Sequence, residues 1–458
     1  MSSEGPDRKV DATPGARGGP EPLESVISRV RRIEQVAREH PTGAITALNH
    51  HLDLNLLCAA YQELRKDAAV GVDGQSVADY GEHLMDNLRD LQNRAKSGRY
   101  QAPPVRRVHI PKNEKETRPI GVPTTEDKIL QRAVSTILTP IYELEFQPFS
   151  FGFRPGKTAH QAIRYLREQC QGQKVEWILE VDLRRFFDTV NQARMRELLG
   201  RRVSDGVINR LVAKWLRAGV MEKGQLSIPE EGTPQGGVIS PLLANIYLHE
   251  VLDQWFVRQV QPQLVGRSFM VRFADDFVMG FSEQKDAQAM IGELDKRFAE
   301  FGLKINADKT RLVPFKRPVP PKWKQEELAG VKPGTFDFLG FTFYWGKTRL
   351  GGHCVKVKTS KKRFTRTLDR MRDWCRQNRH EPVAWQCAKL NEKLRGHGAY
   401  YGVSFNSTML GKLHYEVTRI WFTWLRRRGQ KRLMNWQRFH AILTVRPLVQ
   451  LKCIHRLY

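Results

Sequence analysis

Asp275 and Asp276 stand side by side in the stretch Phe269-Met-Val-Arg-Phe-Ala-Asp-Asp-Phe-Val-Met279, between two runs of apolar, strand-favouring residues. Adjacent carboxylates repel, and a buried pair is costly unless a positive charge sits between or beside them. Mg²⁺, a hard cation that takes oxygen ligands, is the natural compensator. An isolated Asp-Asp pair is equally what a solvated turn looks like. A third carboxylate changes that reading, and Asp182 supplies one: it closes the apolar run Trp177-Ile-Leu-Glu-Val-Asp182, ahead of Arg184-Arg-Phe-Phe-Asp188. Taken singly, Asp182 reads as a helix N-cap. Carboxylates from separate rigid elements that meet in space are what metal-assisted phosphoryl transfer needs.

Residues suited to handling phosphates and bases lie around these carboxylates. Lys112 and Arg118 fall on opposite arms of a polar hairpin, where a point charge and a planar fork could hold a triphosphate together. Between Asp182 and the aspartate pair runs Gly232-Thr-Pro-Gln-Gly-Gly237. Gln235 offers a donor and an acceptor to a base or sugar edge, and Gly236 permits close backbone approach. Each of these alone is an exposed charge or a plain loop; their order along the chain is what gives them weight.

The elements that must position these groups can be read coarsely. Residues 1–22 are rich in Pro, Gly and charge and are expected to be disordered. Helical spacing runs from Leu23 to Tyr100, interrupted by a turn at Gly71-Val-Asp-Gly74. Strands are expected at 105–110, 177–183 and 302–306, with a hairpin around the aspartates. Helices are expected at 126–140, near 192–218, after Ser240-Pro241, and at about 285–302. A turn and strand at Phe338-Leu-Gly-Phe341 precede the basic region, and the proline-bearing 316–335 segment reads as an insertion or linker. Hairpins and helices alternating ahead of a basic helical tail predict an α+β core with an appended helical domain. The domain reading is 1–22 as a disordered tail, 23–344 as the catalytic core and 345–458 as the basic helical domain.

Charge separates these parts. The 458-residue chain carries a net charge of +26, and residues 345–458 hold 26 Lys and Arg against five Asp and Glu. That segment also holds Trp374, Trp385, Tyr400, Tyr401, Trp421, Trp424 and Trp436. Positive charge interleaved with aromatics predicts a nucleic-acid partner rather than a membrane. No apolar run is long enough for a bilayer span and no secretory signal is visible, so a cytoplasmic, nucleoid-associated protein is expected. Six cysteines without a C-x-x-C pair read as reduced thiols.

The series of basic hairpin, strand-end aspartate, Pro-Gln-Gly-Gly turn and apolar Asp-Asp hairpin resembles that of bacterial group II intron-encoded reverse transcriptase/maturases. The resemblance covers nearly all of residues 50–445. It rests on PPVRRVHIPKNEKETRPIGVPTTEDKILQRAV (103–134), FSFGFRPGKTAHQAI (149–163), EVDLRRFFDTV (180–190) and EGTPQGGVISPLLANIYLHEVLD (231–253). VRFADDFVMG (271–280), GLKINADKT (302–310), FDFLGFTF (336–343), LNEKLRGHGAYYGV (390–403) and IWFTWLRRR (420–428) continue it.

The resemblance implies a right-hand polymerase, fingers and palm with an antiparallel palm sheet, followed by an α-helical thumb or X (maturase) domain. It implies that Asp182, Asp275 and Asp276 hold two Mg²⁺ ions, for which Mn²⁺ can substitute, and that Lys112, Arg118, Phe187, Gln235 and Gly236 contact the dNTP, with Phe187 as a steric gate against a 2′-OH. Lys309 is implied as a proton donor to pyrophosphate. The implied partners are group II intron RNA, an RNA template with a DNA primer, dNTPs and a DNA target; monomer and homodimer both remain open. Assistance to splicing and intron mobility would follow, with a domesticated enzyme in phage defence or DNA repair and a binding-only maturase as alternatives. Phe273 stands where the family usually has Tyr, which removes one hydroxyl, and no Cys- and His-containing endonuclease module is expected after the maturase-like region.

Overall fold

The computed structural model describes residues 23–111, 117–222, 224–227, 236–318, 333–428 and 434–457. Lys112, Gln235, the 1–22 tail and most of the 316–335 segment lie outside the described residues. Two contact units form. One comprises Met1–Leu144, Leu199–Pro229 and Pro234–Ile239; the other comprises Glu145–Leu198, Glu230–Thr233 and Ser240–Tyr458.

The first unit is built around the helix Thr125–Glu143. Thr124 caps it by accepting from the Asp127 N–H at 3.2 Å, and Ile129, Leu130, Ala133, Val134, Ile137, Leu138 and Ile141 bury its apolar face. Helices Leu23–Glu39, Leu54–Gln62 and Leu84–Ser97 surround that core. Its sheet pairs Val105–Pro111 antiparallel with Thr117–Val122, in the register Ile110 opposite Arg118. On the other edge Val105–Pro111 pairs in parallel with Val220–Glu222, which pairs antiparallel with Gln225–Ser227.

The second unit holds the expected aspartate hairpin. Ser268–Phe273 and Asp276–Phe281 form its arms, and Trp177–Val181 and then Arg311–Pro314 continue the antiparallel sheet. A second antiparallel sheet orders Phe336–Phe338, Phe341–Lys347 and His353–Thr359. Side chains from both sheets and from the helix Ala159–Gly172, among them Ile163, Ile178, Val271, Phe336 and Phe343, share one apolar core. Helices Lys361–Gln377, Val383–Tyr401, Ser407–Arg426 and Trp436–Val445 make a second core around Trp421, whose indole N–H donates to Gln386 at 2.9 Å.

The α+β composition with antiparallel sheets and C-terminal helices is thus present, with local differences. Residues 302–306 are not a strand: Ile305 alone bridges, to Leu183, through the Asn306 N–H on the Asp182 carbonyl and the Arg184 N–H on the Lys304 carbonyl. The Gly302 and Leu303 N–H groups bond back to the preceding helix, and the Asn306 carbonyl accepts from the following turn. The basic segment opens within strand Phe341–Lys347 and continues through strand His353–Thr359, so its helices begin at Lys361. After Ser240 the α-helix stops at Leu248 and continues as wider π-helical turns, His249–Asp253 and Phe256–Val260. All six cysteines are free, and Cys453 alone is exposed. Among the described residues no helix is long and apolar enough to cross a membrane.

Candidate active site

Strand pairing brings the carboxylates together. Val181 pairs with Phe277 across antiparallel strands, so the same register carried one residue further sets Asp182 opposite Asp276. Directly opposed like charges destabilise a sheet, and apolar neighbours hold this pair in place: Val181, Phe277 and Val278 are buried beneath it. The hairpin turns through Ala274 and Asp275, and Ala274 takes a φ of +56°. A left-handed backbone costs a non-glycine residue about 1–2 kcal/mol, so the surroundings must impose it.

Electrostatics mark the same place. The Asp276 carboxyl is pushed up to about 7, first by desolvation and then by Asp275, Asp182 and Glu180, while the Leu339 backbone N–H opposes the shift. Asp276 nevertheless keeps an exposed surface. Glu180, two residues before Asp182 on the same strand face, is itself raised by burial against the pull of Arg311 and the Asp337 N–H at 2.5 Å.

Two cations answer this negative charge. Lys309 Nζ lies 2.9 Å from Asp182 Oδ2, and Arg311 pairs with Glu180. Asn306 Nδ2 also donates to Asp182 Oδ2, at 3.0 Å, so the turn after Leu303 wraps the carboxylate. Asp182 is therefore aimed at Lys309 and Asn306. Among the described residues no three His, Cys, Asp or Glu side chains converge closely enough to form a finished ligand set. Asp182, Asp275 and Asp276 are oxygen donors of the kind a divalent ion takes.

The remaining expected residues divide between the units. Phe187 sits in the helical turn Phe186–Thr189, half-buried, edge-on to Phe186 at 5.2 Å, and Phe186 in turn meets Tyr247. Arg118 is exposed on its strand in the first unit. Gly236 belongs to that unit too: its φ is +120°, and a Cβ there would meet the Gly121 carbonyl oxygen at 2.3 Å and Ile120 at 2.6 Å. Its need for glycine is met by the strand that carries Arg118. Lys112 and Gln235 lie outside the described residues.

Sequence reasoning missed several residues that build the site. Arg272 is fully buried and bonded to Asp253, Asn245 and the Ala274 carbonyl. An arginine inside an apolar strand was the available signal. Asn306 and Leu339, which touch Asp182 and Asp276, carried no comparable mark.

Residues 110–343 match the family model described as reverse transcriptase (RNA-dependent DNA polymerase). That span contains Arg118, Asp182, Phe187, Gly236, Asp275, Asp276 and Lys309 and ends where the basic segment begins. The chain is 36% identical over 274 residues to Protein YkfC of Escherichia coli K12, covering 53% of this chain and 71% of that one. It is 35% identical over 241 residues to the group II intron-encoded protein LtrA of Lactococcus lactis subsp. cremoris. That match covers 52% of this chain but only 40% of LtrA.

Proposed function

The chain belongs to the reverse transcriptase (RNA-dependent DNA polymerase) family, and on that premise we propose that it copies an RNA template into DNA by extending a primer 3′-OH with dNTPs. The fold is read as a right-hand polymerase, with fingers and palm over 23–344 and a basic thumb or maturase domain over 345–458. The observation that carries this reading is the opposition of Asp182 and Asp276, with Asp275 at the same turn and the Asp276 carboxyl raised by its neighbours.

Asp182, Asp275 and Asp276 would hold two Mg²⁺ ions, or Mn²⁺ in their place. When bound, the ions supply the positive charge that lowers the pKa of the primer hydroxyl and neutralises the departing pyrophosphate. The carboxylates are set by strand pairing, so little reorganisation is needed as substrate arrives. Once Asp182 is otherwise neutralised, Lys309 is free to turn its Nζ from Oδ2 toward the leaving group and give it a proton. Phe187, held against Phe186, offers a rigid ring beneath the incoming sugar, which leaves no room for a 2′-OH. Lys112 and Arg118 would grip the triphosphate, and Gln235 would face the nascent pair beside Gly236.

The partner of residues 345–458 is read as structured RNA. Their charge and aromatic content support this, and the named relative LtrA is an intron-encoded protein. Binding to its own group II intron RNA, with help to splicing and mobility into DNA, is the reading we favour.

Primer extension on a short RNA template, with dNTPs and Mg²⁺, tests the polymerase. Incorporation by the wild type and none by Asp275→Ala is expected; incorporation no greater than that control overturns the reading.

A further inference from the structure

We propose that Arg272, together with Asp253, Asn245 and Gly152, is the positioning device that sets the conformation of the Asp275-Asp276 turn, a role that rests on the polymerase reading of those aspartates.

Arg272 occupies the hairpin strand Ser268–Phe273, among Phe269, Met270 and Val271, and its side chain is fully buried. A buried guanidinium must find partners for its five donors. Nε donates to Asp253 Oδ1 at 2.8 Å and Nη2 to Asp253 Oδ2 at 2.5 Å, a two-point pairing in which Asp253 is also fully buried. Nη1 divides its bonds between Asn245 Oδ1 and the Ala274 carbonyl, each at 3.0 Å. The charge therefore ends on the backbone of the residue that precedes Asp275.

A second segment holds Ala274 from the other side. Phe149 and Phe151 bond to the Arg272 backbone, each at 2.9 Å, and lay Gly152 against the turn. The Gly152 carbonyl accepts from Asn245 Nδ2 at 2.6 Å. A Cβ on Gly152 would lie 2.2 Å from the Ala274 nitrogen and 2.9 Å from the Phe273 carbonyl carbon. Ala274 is thus gripped at its nitrogen by Gly152 and at its oxygen by Arg272, and Asn245 ties the two grips together.

This double hold accounts for the positive φ at Ala274, a strained conformation that persists only where its surroundings over-determine it. The wide turn His249–Asp253 delivers the counter-charge from inside the protein, so the site's negative charge is not used to neutralise Arg272. Shifts of about 1 Å at reacting groups cost as much as a hundredfold in rate. A device that fixes one peptide before two metal-binding carboxylates is placed to control both.

Two variants of the full chain separate positioning from mere packing. The double variant Arg272→Met with Asp253→Leu removes both charges together, which leaves no unpaired ion in the core, and deletes the bond to Ala274. Gly152→Ala leaves the side chains of Arg272, Asp253 and Asn245 intact and pushes on Ala274 directly. Both are compared with the wild type by thermal melting, by Mn²⁺ titration followed by electron paramagnetic resonance, and by primer extension against Mg²⁺ concentration. The expected result for both is folded protein with Mn²⁺ affinity weakened about tenfold or more and a parallel rise in the Mg²⁺ needed for half-maximal rate. Folded Gly152→Ala with wild-type Mn²⁺ affinity and rate would overturn the proposal, even if the double variant failed to fold. If the wild type itself neither binds Mn²⁺ nor extends a primer, the polymerase reading fails instead.

Discussion

Lys309 Nζ stands 2.9 Å from Asp182 Oδ2, and both side chains are about half exposed. The lysine reaches Asp182 from a turn whose own backbone is tied to the same residue, through the Asn306 N–H on the Asp182 carbonyl. The chain thus supplies its own cation to a carboxylate read as a metal ligand, and the two uses compete.

Removing that competitor has separable effects. A half-exposed ion pair contributes at most about 1 kcal/mol to stability, so Lys309→Ala is expected to melt within a few degrees of the wild type. If Lys309 donates a proton, single-turnover incorporation slows by roughly 10²-fold or more, while the Mg²⁺ needed for half-maximal rate does not rise. An unchanged single-turnover rate removes Lys309 from the chemistry.

Asp276→Asn is expected to separate stability from function. Its carboxyl is raised to about 7 because desolvation, Asp275, Asp182 and Glu180 all disfavour its charge. Deleting that charge should raise the melting temperature in metal-free buffer at pH 8 by a few degrees and abolish primer extension. Added Mg²⁺ should then stabilise the wild type but not the variant. A variant that melts lower in metal-free buffer refutes the claim that like charges strain the turn.

Asp127 gives the first unit a pH dependence. It is buried beneath Tyr100 and Trp215, with the Trp215 indole N–H donating to it at 3.2 Å. Desolvation, with a smaller push from Asp73, lifts its carboxyl to about 7. The folded state then binds this proton more tightly than the unfolded chain, whose value is near 3.9. The stabilisation is complete below that lower value and is lost as the pH rises through 7. Urea midpoints should therefore fall between pH 5 and pH 8, and Asp127→Asn should flatten the change. An equal slope in wild type and variant assigns the dependence elsewhere.

The basic helix Lys361–Gln377 offers a test of the nucleic-acid partner. Lys361, Lys362 and Arg370 are exposed on it. Replacing all three with Gln is expected to leave melting unchanged and to reduce the log–log slope of RNA affinity against salt by roughly 2. An unaltered slope would place the RNA contact on another surface.

Much of the site was legible because its chemistry sits on strongly patterned strands. Asp182 ends a buried apolar run and Asp275-Asp276 interrupt another, so period and polarity set them on strands, while their order along the chain and the resemblance grouped them into one site. The register that opposes Asp182 to Asp276 follows from pairing between segments almost a hundred residues apart, which no local pattern encodes. The Gly302–Asn306 stretch misled for a related reason: its apolar residues suit a strand, but the Gly302 and Leu303 N–H groups bond back to Ala299 and Phe298, which leaves a single bridge at Ile305. Arg272 stood out as an arginine within an apolar strand, but Asp253 and Asn245 look ordinary in their own segments, and only the fold closes the three into one network.

The interleaving of the two units carries a consequence for how the protein is made. The first unit needs Leu199–Pro229 to complete it, yet Glu145–Leu198, synthesised earlier, belongs to the second. The strand ending at Val181 leaves the ribosome before its hairpin partner at Asp276–Phe281 exists. The first unit is therefore complete only once residue 239 has been made, the second only much later, and no single cut of the chain separates them. A chaperone that shields the unpaired Trp177–Val181 strand during synthesis should therefore raise the yield of folded protein.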